Sequence, residues 1–258
     1  MPELPDLQAF SHNLTKRLKG KTLKEITVTE SKKLNVSEKE LKDALEGHEL
    51  EKIVRAGKEL HAHFKGGRSL GLHLMLHGGL SLYKDGDEEP KFRIITLKFE
   101  DGNKLSLTDF QKAATPTLDP KESDVPDALD ITTKYLSEKL AKTKTPVKTV
   151  LMDQKVLRGV GNAYADEILW HAEISPFSAS NKLPAAIVEK LSESIKSVLE
   201  HAEKEILKAN PDIISGEVRD FLIVHQPRKK TTPHGETIHQ KEVGGRKTYY
   251  TEEQELFE

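Results

Sequence analysis

The sequence predicts an α+β fold: a β-rich first half behind one leading helix, and a helical second half that ends in a small hairpin. Three observations carry this. Leu4, Leu7, Phe10, Leu14 and Leu18 recur at spacings of three and four, the stripe of an amphipathic helix. From Leu50 to Thr108 the apolar residues fall in short β-prone runs punctuated by turn residues. From Thr132 to Ile206 helical periodicity returns.

The elements follow in order. The first helix stops at Gly20 and would hold the N-terminus against a core. A strand is expected near Leu23–Thr29. Ser37-Glu38-Lys39-Glu40 is a capping-box pattern for a short helix through Leu45, ending at Gly47. Strands are then expected over Leu50–Arg55, Lys58–Phe64, Ser69–Tyr83, Phe92–Phe99 and Lys104–Thr108, with Asp101-Gly102 as a hairpin turn. Together they read as a β-sandwich or flattened barrel.

Thr115–Asp130 holds three prolines and five acidic residues with little periodicity, and reads as a linker. Helices are expected over Thr132–Leu140, from Val147 to Asp153, and over Asn162–His171. Ile187, Leu191, Ile195, Val198, Ala202 and Ile206 mark a long one, broken at Asn210-Pro211. The tail turns β-prone around Ile238 and Thr248–Thr251, separated by Gly244-Gly245. The expected division is residues 1–118 for the β-sandwich, 119–130 for the linker, 131–222 for the helices and 223–258 for the hairpin.

Composition narrows the function. Of the 258 residues 32% are charged and 36% hydrophobic, and no apolar run approaches a membrane span. The start lacks a basic-then-apolar signal segment, so a cytoplasmic protein is expected. Cysteine is absent, which excludes disulfides and thiolate zinc sites and fits a reducing compartment. A dedicated nucleic-acid binder is often basic overall, so the net charge of −2 counts against DNA as the partner. Charge is unevenly placed, however. His225–Thr251 carries six basic residues against two acidic ones.

The most informative stretch is Met1-Pro2-Glu3-Leu4-Pro5-Asp6. Loss of Met1 would leave Pro2 with a free secondary amine, and a terminal amine has a reference pKa of about 8. Such an amine can attack a sugar carbon and form an iminium, with Glu3 beside it as a proton carrier. The hexapeptide alone leaves open that Pro2 is only a tolerated second residue. Gly159-Val160-Gly161-Asn162 leads into a helix, an arrangement that suits a phosphate but also describes an ordinary helix cap. Lys58 follows Ala56-Gly57, Arg246 follows Gly244-Gly245, and His73 and His77 lie on an apolar strand. Singly, each reads as a surface charge or a strand-end histidine.

Together these segments resemble the formamidopyrimidine-DNA glycosylase and endonuclease VIII family of base-excision repair enzymes. MPELPD is similar to its N-terminal motif, RAGKEL to its phosphate-binding lysine segment, and LHLMLHGGL to its strand and intercalation loop. LMDQKVLRGVGNAYADEILW resembles its helix–two-turns–helix motif, and GGRKTYYT the strand of its finger hairpin. The resemblance implies a helix–two-turns–helix second domain. It implies Pro2 as nucleophile at C1′ of a damaged nucleotide and Glu3 as general acid/base. Lys58, Asn162 and Arg246 would clamp phosphates, Lys58 also serving the catalytic centre, with His73 a weaker contact. Flipping a nucleotide costs a few kcal/mol, which phosphate contacts from separate elements can offset.

Departures from the pattern shape the expectations. Thr231, His234, Thr251 and Gln254 stand where the family's finger usually carries four cysteines, a set that makes no conventional zinc site. A zincless finger packed through Ile238, Val243, Tyr249 and Tyr250 is therefore expected, and no metal or organic cofactor. In the 8-oxoguanine-acting branch a loop arginine and phenylalanine fill the gap left by the flipped base. Here Lys112 and Ala113 stand near those positions, and Lys112 lacks the planar fork of arginine. Leu76, helped by His77 or Phe110, is left as the wedge. The segment after Arg219-Asp220-Phe221 is too short to cap 8-oxoguanine as in that branch.

The expectation is a bifunctional DNA glycosylase and apurinic/apyrimidinic lyase. It would act as a monomer on damaged double-stranded DNA, on the nucleoid when bound and never at a membrane. A non-catalytic paralogue that binds distorted DNA is the alternative.

Overall fold

A computed structural model describes residues Met1–Glu258. The chain divides into two compact units: Met1–Glu122 with Ile206–Glu217, and Ser123–Glu205 with Val218–Glu258. The first break falls inside the expected linker. Ile206–Glu217, read from sequence as part of the helical region, groups instead with the β-rich unit.

The first unit opens with helix α1 (Leu4–Leu18), whose five stripe residues are all buried. Strand β1 (Leu23–Val28) and helix α2 (Glu38–Leu45) follow. Ser37 caps α2 by accepting the Glu40 amide at 3.2 Å. Then come β2 (Leu50–Ala56), β3 (Glu59–Phe64), β4 (Ser69–His73), β5 (Gly79–Lys84), β6 (Arg93–Phe99), β7 (Asn103–Thr108) and β8 (Thr115–Leu118). They form two antiparallel four-stranded sheets, ordered β1-β6-β7-β5 and β2-β3-β4-β8. Phe64, Leu70 and Leu72 of one sheet and Leu97, Phe99 and Leu105 of the other are buried, as a sandwich requires.

Two sequence expectations are corrected here. Ser69–Tyr83 is not one strand; β4 and β5 belong to different sheets. The chain reverses after Leu74, where Met75 takes φ 55° and the Gly78 amide donates to the Leu74 carbonyl at 2.8 Å. A Cβ on Gly78 would lie 2.1 Å from that carbonyl oxygen, so the turn demands glycine. The second correction concerns Thr115–Leu118, read as the start of the linker. It pairs with β4 as an edge strand, its Pro116 tolerated there because an edge needs fewer ladder donors.

The second unit contains α3 (Thr133–Leu140), α4 (Val147–Met152), α5 (Asn162–His171) and α6 (Ala185–Ala209), whose last turn is grouped with the first unit. Tyr164, Ile168, Leu169, Leu191 and Ile195 are among its buried side chains. The tail is the hairpin β9 (His239–Val243) and β10 (Arg246–Tyr250). Gly244 and Gly245 both have positive φ, 56° and 74°, the requirement of a two-residue type I′ turn. No helix is long and apolar enough to cross a membrane.

Candidate active site and nucleic-acid interface

In the first unit Pro2 and Glu3 sit at the head of α1, both buried. The Glu3 amide donates to Asp6 Oδ2 at 2.9 Å, which fixes the first turn. Helix α1 is fastened to β2 at two points. Thr15 Oγ1 donates to the Ile53 carbonyl and accepts the Ile53 amide, each at 2.8 Å. Arg55 donates through Nε to Gln8 Oε1 at 2.9 Å and through Nη1 to the Gly57 carbonyl at 3.2 Å. Arg55 thereby ties α1 to the β2–β3 turn that carries Lys58, where Gly57 has φ 62°. Lys58 itself lies in that turn, one residue before β3.

His73 ends β4, opposite Glu59. Its Nδ1 accepts the Met75 amide at 3.0 Å, which leaves the ring proton on Nε2. Burial lowers its pKa below 6.5, and the neighbouring Lys58 charge lowers it further against an opposing push from Glu59. A neutral ring that donates from Nε2 can meet a phosphate oxygen.

Leu76 is more than half exposed, as is Phe110, whose ring centroid lies 4.9 Å from that of His77. The loop around Phe110 is organised by Asp109, which is buried. Asp109 accepts the amides of Gln111, Ala113 and Ala114 at 2.8–2.9 Å. Lys112, at φ 55°, reaches away to Glu30 Oε2 at 3.0 Å, and the contact lowers the Glu30 pKa.

In the second unit the glycine turn is held by Gln154. Its Oε1 accepts the Gly159 amide and its Nε2 donates to the Val160 carbonyl, both at 2.9 Å. Gly161 is the N-cap of α5, and Asn162 is its first helical residue. Asn162 Nδ2 donates to the Lys247 carbonyl at 3.0 Å, so the structure brings α5 and the strand of Arg246 together. Arg246 is exposed.

Sequence reasoning missed the group that fixes this arrangement. Lys148 and Asp166 are fully buried and pair at 2.8 Å. Lys148 Nζ also donates to Thr248 Oγ1 at 2.7 Å, and Asp166 Oδ2 accepts the Tyr249 amide at 3.0 Å. Asp166 inside the run Ala163–Leu169, next to a second carboxylate at Glu167, was the available signal. Beside it Glu167 accepts the amides of Ile223, Val224 and His225 at 2.7–2.9 Å, while burial pushes its pKa up.

The finger positions are engaged by other protein groups. Gln254 Oε1 accepts the Thr251 amide and its Nε2 donates to the Ile174 carbonyl, both at 2.8 Å. His234 stacks on Trp170, and His225 bonds Asp166. Of the apolar residues named for the hairpin, Val243 and Tyr249 are buried, Ile238 and Tyr250 half-buried. No group of three or more histidine, aspartate or glutamate side chains is arranged to hold a metal ion.

Residues 1–115 match the formamidopyrimidine-DNA glycosylase N-terminal domain, and residues 123–209 the H2TH domain of the same enzymes. The formamidopyrimidine-DNA glycosylases of Bacillus cereus and Bacillus subtilis are each 30% identical to the chain over 269 aligned positions, covering 97% of both partners. Among solved structures, Lactococcus lactis Fpg bound to abasic-site DNA superposes with a TM-score of 0.87 at 26% identity. That match covers 97% of this chain and 98% of the other. The same enzyme bound to DNA containing an oxidised pyrimidine gives 0.86 at 27% identity, over the same shares. The fold and these matches define the class, a DNA glycosylase of DNA repair. Within that class the chain belongs to the formamidopyrimidine-DNA glycosylase family.

Proposed function

We infer that the chain, once Met1 is removed, is a bifunctional glycosylase and abasic-site lyase acting on damaged double-stranded DNA. The observation that carries this is the rigid mounting of Pro2 and Glu3 on α1, itself fastened through Arg55 to the turn bearing Lys58. A terminal nucleophile works only if the chain end is fixed, because misplacement by about 1 Å costs on the order of a hundredfold in rate.

The Pro2 nitrogen attacks C1′ as the bond from C1′ to the base breaks, and the base leaves with a proton. Glu3 protonates O4′ as the sugar ring opens to an iminium. The iminium acidifies the C2′ hydrogen. Its loss to a base expels the 3′ phosphate as the C3′–O3′ bond breaks. Lys58, His73, Asn162 and Arg246 serve as phosphate anchors, and Leu76 with the His77–Phe110 pair as the wedge. Ring-opened purines, oxidised pyrimidines and abasic sites are the proposed substrates. Lys112 is held by Glu30 and offers no fork to an opposite cytosine, which argues against an enzyme specialised for 8-oxoguanine.

Borohydride trapping on an abasic-site duplex tests the reading. Protein with a mass-verified Pro2 terminus should give a covalent adduct, and none from such protein ends the lyase claim. Binding without turnover on any lesion would instead identify the non-catalytic paralogue.

A further inference from the structure

We propose that Glu217 is a positioning residue for the terminal amine and the counter-charge of the cation formed there; this rests on the lyase reading above. The Met1 amine lies 2.6 Å from Glu217 Oε1, both groups about one-third exposed. The contact joins residues 216 positions apart, so it depends on how the segment after α6 is held.

That segment is pinned to the very helix that presents Pro2. Asn13 of α1 donates to the Ile213 carbonyl at 2.8 Å, with Asn13 buried. Arg17 of α1 meets Asp212 at 2.8 Å. Ser215 Oγ accepts the Leu80 amide at 3.1 Å, fixing the segment to β5 as well. Gly216, at φ 86°, then turns the chain so that Glu217 follows. The carboxylate is thus carried to the chain end by three contacts within one unit.

Removal of Met1 moves the amine back by one residue, about 3.8 Å along the chain. Glu217 has three rotatable side-chain bonds with which to follow it. There it orients the nitrogen. Attack by a neutral amine creates positive charge at the iminium, and a carboxylate already in place stabilises that charge as it develops. Glutamine of the same shape cannot.

The experiment compares processed wild type, E217Q and E217D, each with its Pro2 terminus verified by intact mass. Single-turnover formation of the borohydride-trapped adduct and affinity for the abasic-site duplex are measured on each. E217Q is expected to trap at least about tenfold more slowly with affinity within about twofold, and E217D to recover part of the rate. Trapping by E217Q at the wild-type rate overturns the proposal. So does an equal loss in both variants, which would mark a purely structural side chain. Failure of the wild type itself to trap points elsewhere: it removes the lyase reading, and this inference with it.

Discussion

Lys148 Nζ and Asp166 Oδ1 lie 2.8 Å apart with neither side chain exposed to solvent. The pair joins α4 to α5, and through Thr248 and Tyr249 it joins both to β10. Removing one partner strands a buried charge, at a cost of about 3–5 kcal/mol. Urea denaturation of D166N and K148M should each show a loss of that order. The double variant should lose less than the sum, because it no longer strands a charge. Additive losses would mean that the two side chains act independently.

His73 gives the pH dependence. Its folded pKa lies below the ordinary 6.5, so as pH falls the unfolded chain takes up the proton first. The stability this ring contributes is complete above about 6.5 and is lost as pH drops through that value toward the folded one. Asparagine can supply the oxygen that accepts the Met75 amide, yet does not titrate. The melting temperature of wild type should therefore fall relative to H73N between pH 7 and pH 5. A constant difference across that range would refute the assignment.

Glu167 is tested by truncation. Three backbone amides, those of Ile223, Val224 and His225, converge on its carboxylate. E167A leaves these donors without their acceptor, and a buried unsatisfied group costs about 1–3 kcal/mol. A loss of at least that size should appear in urea denaturation, with hydrogen exchange accelerated at residues 223–225. Unchanged exchange there would show that other interactions hold the loop.

Much of this was legible in the sequence, for physical reasons that differ by residue. The stripe from Leu4 to Leu18 announced a buried helix because burial follows the period of the backbone. Gly244-Gly245 announced the hairpin because only glycine pairs so readily take two positive φ values. The turn at Met75–Gly78 was not legible, since Leu74, Met75 and Leu76 continue an apolar run. Only the close approach of Gly78 to the Leu74 carbonyl reveals it. Thr115–Leu118 was hidden by Pro116, which is acceptable on an edge that the sequence cannot identify. Glu217 was invisible for another reason: its relation to the chain start spans nearly the whole sequence and depends on how Asn13, Arg17 and Ser215 hold the segment before it.

The proposed phosphate anchors should behave as charges rather than readers. Arg246 is exposed on β10, and Lys58 sits in a turn. Removing one cation that neutralises a phosphate should lower the slope of log affinity against log salt by about 0.9. R246Q and K58M should weaken binding to damaged and undamaged duplexes alike, with that reduction in slope. For K58M, turnover of bound substrate should fall as well, since its turn is tied through Arg55 to α1. Loss of lesion preference with an unchanged slope would assign these residues to base reading instead.

The proposed wedge predicts weak choice of the opposite base. Leu76 and Phe110 present apolar surface, which stacks on any base without distinguishing its hydrogen-bonding edge. The side chain that could read such an edge, Lys112, is held by Glu30. Excision opposite each of the four bases should then vary by less than about tenfold, since discrimination by a good bidentate contact is worth about 1–3 kcal/mol and none is offered here. L76A and F110A should slow excision from duplex DNA, where a void must be filled, more than from single strands, where none exists. E30Q should free Lys112 and widen the spread among opposite bases. A wild-type enzyme that already prefers cytosine by a hundredfold would show either that a reader exists elsewhere or that the Lys112–Glu30 pair gives way on binding, and would overturn this prediction.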